Sequence, residues 1–470
     1  MTSTQSIPTP AVATASRPRL TTFVLAIAVL TFSLMQTLTV PALPTIGAEL
    51  GATGSAGWIL TAFLLSGAVM APVIGNLGDR LGHRRVLLAV FVVFAAASLV
   101  AAFAPNFGVL LLMRVIQGVS TATFPLALAI ARQALPADRL APALGWLSGM
   151  IGLGAGAALV IGGAIVDALG WRWLFGVGAI LIVASAVLLA VGVPRQASAP
   201  VARPTDWAGI VLLAGGLVGV LLAVSQGAAW GWTSPATLIA GLAGVVLLVL
   251  LVLVEMRVAS PLVDVRTFRH GPLVAVSILT LAVGFIPYIC YVALPLLMQG
   301  SIADGAGLGL SVAMSGLAML PCAAMVFLGG RLAPALSGRI GAGLTAVLAA
   351  ALMGVGGAGI ALGAHSAWAI VATFSVLGLG NGIGYAICAQ LVMLWSPADE
   401  TGAATGLNSV VRTIGSAAAA PVVAALLAAG ALTGPEAALP YSLAFWVAAG
   451  ASLLGVAAAC ALLARPRRTA

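Results

Sequence analysis

The feature that most constrains this chain is the recurrence of apolar stretches as long as a bilayer is thick. With a helical rise of about 1.5 Å per residue, about 20 apolar residues cover the hydrocarbon. Stretches that meet this condition centre on residues 21–43, 57–75, 86–104, 107–131, 143–166, 173–193, 207–226, 236–256, 272–298, 311–330, 340–362, 366–393, 403–429 and 440–464. At that length in lipid, only a helix satisfies every backbone N–H and C=O within its own segment. The chain therefore reads as an all-α polytopic membrane protein with 14 transmembrane helices. Composition agrees, with 62% hydrophobic and 7% charged residues. Soluble domains carry about 25% charge, so a water-facing surface, a disordered chain and a disulfide scaffold are all excluded. The run from Leu20 to about Leu43 is too long for a signal-peptide core and reads as the first span.

All twenty basic residues are arginine, and there is no lysine. That excludes a Walker A ATPase, which places a Lys on the β/γ-phosphates, and Schiff-base chemistry on a Lys amine. The net charge of +9 does not point to nucleic acid, because the arginines are scattered between spans. With the N-terminus inside, seventeen of the twenty fall in the tails and inner loops; Arg172 stands in an outer loop, and Arg114 and Arg412 lie within spans. This bias sets the expected orientation, with both termini in the cytoplasm, and the absence of Lys beside abundant Ala points to a GC-rich bacterial genome and hence a bacterial plasma membrane. Trp171, Trp173, Trp230 and Trp232 fit the interfacial belts, and Ser234-Pro235 fits a helix start.

The four cysteines lie inside apolar runs and read as buried free thiols. His83 and His270 fall in inner loops and His365 in an outer one, with no HExxH and no paired carboxylates. No metal site, cofactor or enzyme activity is expected. The implied partners are the lipid bilayer and a small-molecule substrate, with the chain working as a monomer.

The polar connections at 194–206 and 257–271 divide the chain into a cytoplasmic tail (1–19), a six-helix bundle (20–193), a linker with two extra helices (194–271), a second six-helix bundle (272–464) and a short tail (465–470). A faint internal echo joins the halves: GNLGDRLGHR from Gly75 to Arg84 against GRLAPALSGR from Gly330 to Arg339. Duplicated halves are a habit of secondary transporters.

Gly75-Asn76-Leu77-Gly78-Asp79-Arg80-Leu81-Gly82-His83-Arg84-Arg85 resembles the signature loop of the major facilitator superfamily, G-x-x-x-D-R-x-G-R-R, with His83 where an Arg is usual. Trp58 to Leu65, Leu110-x-x-x-Arg114-x-x-Gln117-Gly118 and the Asp206-Trp207 … Gly231-Trp232 insert resemble its fourteen-span drug:proton antiporter branch. The resemblance implies six plus two plus six spans working by alternating access, coupled to protons, and places Arg114 in a proton-relay motif. Span 5, with Gly152, Gly156, Gly162 and Gly163, resembles the antiporter motif G-x-x-x-G-P-x-x-G-G, although Ala158-Leu159 replaces its Gly-Pro. Small-xxx-small spacing at Gly145/Gly149 and Gly152/Gly156 also lets helices approach closely, whatever the direction of transport.

Asp79 stands at the inner end of span 2, and span 13 begins on the same side near Thr401. A carboxylate against a helix N-terminus gains about 0.3–2 kcal/mol. Asp79, oriented by Arg80, Arg84 and Arg85, is expected to latch the halves together; the alternative is a tight glycine turn whose arginines only fix topology. Arg114 either faces a cavity with Gln117 or snorkels to the outer surface. Arg412, with Asn408 on its face, has no acid near it in sequence. Gln36 in span 1, Tyr288 and Tyr291 in span 9, and Asn381 and Tyr385 in span 12 complete the candidate pathway. None of the eleven acids falls in the middle third of a span, which turns the expectation from cations toward neutral or anionic solutes. Efflux of amphipathic molecules is the leading expectation; uptake of a small neutral or anionic solute is the alternative.

Overall fold

A computed structural model describes residues 18–52, 56–194, 206–258, 261–262, 265–266, 271–302, 307–396, 401–429 and 438–463. The tails (1–17 and 464–470), most of the 194–206 connection and His270 lie outside them. Sixteen α-helices follow in order: α1 (Pro18–Thr37), α2 (Leu43–Glu49), α3 (Trp58–Leu81), α4 (His83–Ala102), α5 (Phe107–Gln117), α6 (Thr123–Ala134), α7 (Ala137–Leu169), α8 (Arg172–Gly192), α9 (Trp207–Trp230), α10 (Pro235–Glu255), α11 (Gly271–Gln299), α12 (Val312–Ile340), α13 (Ala342–Gly363), α14 (Ala367–Trp395), α15 (Thr401–Ala429) and α16 (Leu439–Leu463). A 3₁₀ segment, Gly118–Ala122, joins α5 to α6.

Among the described residues, thirteen stretches are long and apolar enough to cross a membrane, α5 to α6 counting as one. The bent α3 makes a fourteenth: its parts, Trp58–Ala71 and Val73–Leu81, meet at 44°, at Pro72, which lacks the N–H the helical ladder needs there. Helices overrun the expected spans at the arginine-rich end. α3 continues to Leu81, α7 begins at Ala137 and α12 continues to Ile340. Hydropathy stops at the first charge, whereas backbone hydrogen bonding continues beyond the lipid.

α1 and α3–α8 pack chiefly with one another, as do α11–α16, and α9–α10 form a hairpin apart. α7 on α12 and α3 on α15 join the two groups, while α9 lies against both α3 and α15. α10 packs chiefly on α9 and turns most of its surface outward, as a lipid-facing helix does. Ser234 caps α10 by accepting from the Thr237 N–H, and Pro235 follows as its first residue.

The α7–α12 seam is close because glycine makes it so. A Cβ on Gly156 would lie 1.8 Å from the Ala323 Cβ, and one on Gly152 would lie 1.9 Å from the Val326 Cγ1. Gly149 faces Phe327, but Gly145 has nothing within 4 Å, so the small-residue spacing is used for close packing only from Gly149 onward.

The two halves share a turn. Gly82 (φ 94°, ψ 125°) ends α3 and Gly341 (φ 87°, ψ 155°) ends α12, each in a region open to glycine, and each leads directly into the next helix. Matching these glycines sets Arg80-Leu81-Gly82 against Arg339-Ile340-Gly341. The structural correspondence is thus displaced by about one helical turn from the sequence echo, and Asp79 stands opposite Gly338 rather than Pro334.

Candidate functional site

Polar side chains meet where the two groups face each other. Gln36, near the end of α1, donates through Nε2 to the Tyr288 hydroxyl on α11. Tyr288 packs edge-on against Tyr291 at 5.6 Å, and Tyr291 against Phe374 of α14 at 5.8 Å. Arg412 on α15 lies with its guanidinium 5.2 Å from the Tyr385 ring, while its Nη1 reaches the Tyr385 hydroxyl at 3.5 Å and its Nη2 the Ser409 hydroxyl at 3.4 Å.

Arg114 is 1% exposed, so the snorkelling alternative is excluded. Its Nε donates to the Ile59 carbonyl on α3 (3.1 Å), its Nη1 to the Gln117 Oε1 (2.9 Å), and the guanidinium stands 4.4 Å over the Phe63 ring. Gln117 donates onward to the Ser98 hydroxyl on α4 at 2.9 Å. Arg114 thus ties three helices together one turn before the 3₁₀ break. Within that break a Cβ on Gly118 would meet the Gly67 nitrogen and the Phe63 carbonyl at 2.8 Å, so the 3₁₀ segment touches α3 backbone to backbone.

Two expected pathway residues hydrogen-bond to α11. Asn381 is buried and donates to the Val283 carbonyl of α11 at 3.0 Å, while Asn408 accepts from Thr280 rather than meeting Arg412. Gly162 sits on the Leu38 carbonyl just past the end of α1, and Gly163 is buried beside it. Ser33 and Thr37 fasten α1 to α7 through the Ile151 and Ala155 carbonyls.

In the signature loop, the Asp79 Oδ1 meets the His83 Nε2 at 3.1 Å, and the Gln133 Nε2 stands 3.3 Å from the His83 Nδ1. His83 takes the place of an arginine and is itself Asp79's partner. Arg84 donates to the Ala190 carbonyl at the end of α8, a favourable place for a cation; Arg85 is exposed, and nothing lies within 4 Å of where a Gly75 Cβ would stand. α15 begins at Thr401, its first-turn side chains lying outside the described residues. On the opposite face, Trp171 is 2% exposed and donates to Glu49 Oε2 (2.6 Å), and Arg172 binds the other Glu49 oxygen. Trp171 is therefore an internal clasp rather than an interfacial anchor. The bonds from Arg172 and Trp171 hold the Glu49 carboxyl below the usual carboxylate range.

A sequence model described as the Major Facilitator Superfamily matches residues 25–213, 207–420 and 277–470. The chain belongs to this superfamily. It is 30% identical over 435 residues to the tetracenomycin C resistance and export protein of Streptomyces glaucescens, covering 89% of this chain and 78% of that one. It is 26% identical to the multidrug transporter protein MdtP of Bacillus subtilis, over 80% of this chain and 69% of that one. An uncharacterized transporter of Mycobacterium tuberculosis, Rv1877, is 31% identical over 81% of this chain, which spans about half (55%) of that protein's length. Among solved structures, the human organic anion transporter MFSD10 superposes with a TM-score of 0.65 over 94% of this chain and 99% of its own, at 17% identity. An auto-inhibited peptide transporter of the POT family superposes at 0.67 over 96% and 97%, also at 17% identity. These two likenesses speak for the fold. The chain is a multi-pass membrane protein of this superfamily.

Proposed function

We propose that this transporter exports amphipathic, neutral or anionic small molecules in exchange for protons, across a bacterial plasma membrane with both termini in the cytoplasm. The observation that carries the substrate class is the charge of the interior: Arg114 and Arg412 stand within spans, and no carboxylate occupies the middle of any span. A buried cationic drug would meet two guanidiniums and no counter-charge. Export is supported by a relative named for it, the tetracenomycin C resistance and export protein of Streptomyces glaucescens. The two helix groups rock as units about the seam holding Gln36, Tyr288 and Arg412. On the cytoplasmic face Asp79 latches α3 to the start of α15, and His83 competes for the same carboxylate.

Purified protein in liposomes, given a pH gradient and a panel of neutral, anionic and cationic compounds, tests this directly. Proton-driven movement of neutral and anionic members, abolished by a protonophore and by Asp79→Asn, is the expected result. Preferential movement of cations overturns the substrate class, movement down the proton gradient with the solute overturns export, and unaltered flux in Asp79→Asn removes the latch.

A further inference from the structure

Between the arginine-rich ends of α1 and α7 lies an apolar groove of about 370 Å³ that the transport pathway above does not use. Its described walls include Thr22, Phe23 and Ile27 of α1 and Ala143, Trp146 and Met150 of α7, with Arg19 and Arg139 at its mouth. Phe23 and Trp146 are 58% and 42% exposed, so large apolar surfaces stay uncovered there. We propose that this groove binds one anionic phospholipid of the leaflet at the arginine-rich end, with an acyl chain in the trough and the phosphate between Arg19 and Arg139.

Three features select that occupant. The trough runs from Arg139 to Met150, about 16 Å along a helix, and one leaflet of hydrocarbon is about 15 Å deep. Its wall is almost wholly apolar, as a hydrocarbon chain requires, and its polar groups stand at the headgroup end. The mouth is cationic: Asp138 Oδ2 lies 3.3 Å from Arg139 Nε, so two guanidiniums against one carboxylate leave an excess of one positive charge. Arg331 of α12 stands 5.1 Å from the Trp146 ring and adds to the field. A zwitterionic headgroup gains less from such a mouth than an anionic one. Assigning this leaflet to the cytoplasm rests on the orientation proposed above; the binding itself does not.

The test is native mass spectrometry of the full chain in detergent, offered phosphatidylglycerol or phosphatidylcholine at equal concentration. Wild type should retain one phosphatidylglycerol in preference to phosphatidylcholine. Arg19→Gln should weaken that preference about fivefold and Arg19→Gln/Arg139→Gln about 25-fold. Thr22→Trp, which fills the trough, should lose both lipids while unfolding at the wild-type temperature. Equal retention of the two lipids by wild type overturns the proposal. So does undiminished phosphatidylglycerol in the folded single or double variant. No readout requires transport, so failure here is distinct from failure of the export reading.

Discussion

The side-chain amide of Gln36, on α1, donates to the hydroxyl of Tyr288, on α11, and so this hydrogen bond bridges the N-terminal and C-terminal helix groups. Both residues are buried. Tyr288→Phe removes the hydroxyl and strands a buried amide, which should cost about 1–3 kcal/mol. The double variant Gln36→Leu/Tyr288→Phe leaves neither polar group stranded and should recover most of that loss without recovering transport. Thermal unfolding in detergent, beside flux in liposomes, checks both halves. Equal instability of the single and double variants would mean that the two residues are not coupled.

Arg114 is a fork, not a point charge. Its Nε and Nη1 bind groups on two different sides while its plane covers Phe63. Arg114→Lys keeps the charge but holds at most part of this arrangement. It should lose at least one charged hydrogen bond, about 1.5–3 kcal/mol, and transport should fall more than tenfold. Full activity in Arg114→Lys would show that only the charge matters.

Gly156 and Gly145 give a matched pair of tests on one helix. Gly156→Ala sets a methyl 1.8 Å from the Ala323 Cβ, and with no flexible side chain to give way, α7 and α12 must separate. Overpacking of this kind costs about 1–3 kcal/mol, and flux should drop sharply. Gly145→Ala meets nothing within 4 Å and should stabilise slightly, by up to about 1 kcal/mol, through helix propensity. Paired melting curves and flux measurements separate the two; similar behaviour would contradict the seam.

Glu49 predicts an acid limb. Its folded carboxyl is held low by Arg172 first and Trp171 second. The stability it contributes is complete above the ordinary carboxylate value near 4.5 and is lost as pH falls through the lowered folded value. Unfolding temperatures of wild type and Glu49→Gln should therefore differ at pH 6 and converge as the pH drops below about 4. A gap independent of pH would remove the clasp.

Much of this was legible in the sequence because lipid forces a simple rule on the backbone. The number of spans and the signature loop follow from apolar length and from motif, and the cost of a charge in hydrocarbon singles out Arg114 in span 4 without choosing between burial and snorkelling. What stayed hidden is pairing. Nothing in the chain says that Asn381 would be taken by the Val283 carbonyl, Asn408 by Thr280, or Asp79 by His83. Those choices depend on helix rotation and register, which uniformly apolar helices do not encode in their periodicity. Trp171 was misread for the same reason. Its position before α8 fits an interfacial anchor, and only the short α2 folding back with Glu49 makes it internal. Ser98 and Phe63 carry no signal of their own; each becomes visible only once Arg114 is placed.

The account turns on two helix groups that move against each other. Spin labels test that directly, after the exposed Cys460 is replaced and the three buried cysteines are left in place. One pair goes on Leu77 of α3 and Leu332 of α12, at the arginine-rich end; the other goes on Phe103 and Trp368, at the opposite end, all four being exposed. Distances measured in lipid by pulsed electron resonance should fall into two populations at each end, one end widening as the other narrows. Lowering the pH or adding a transported compound should shift their ratio. A single distance at each end, unmoved by protons or solute, would contradict the account.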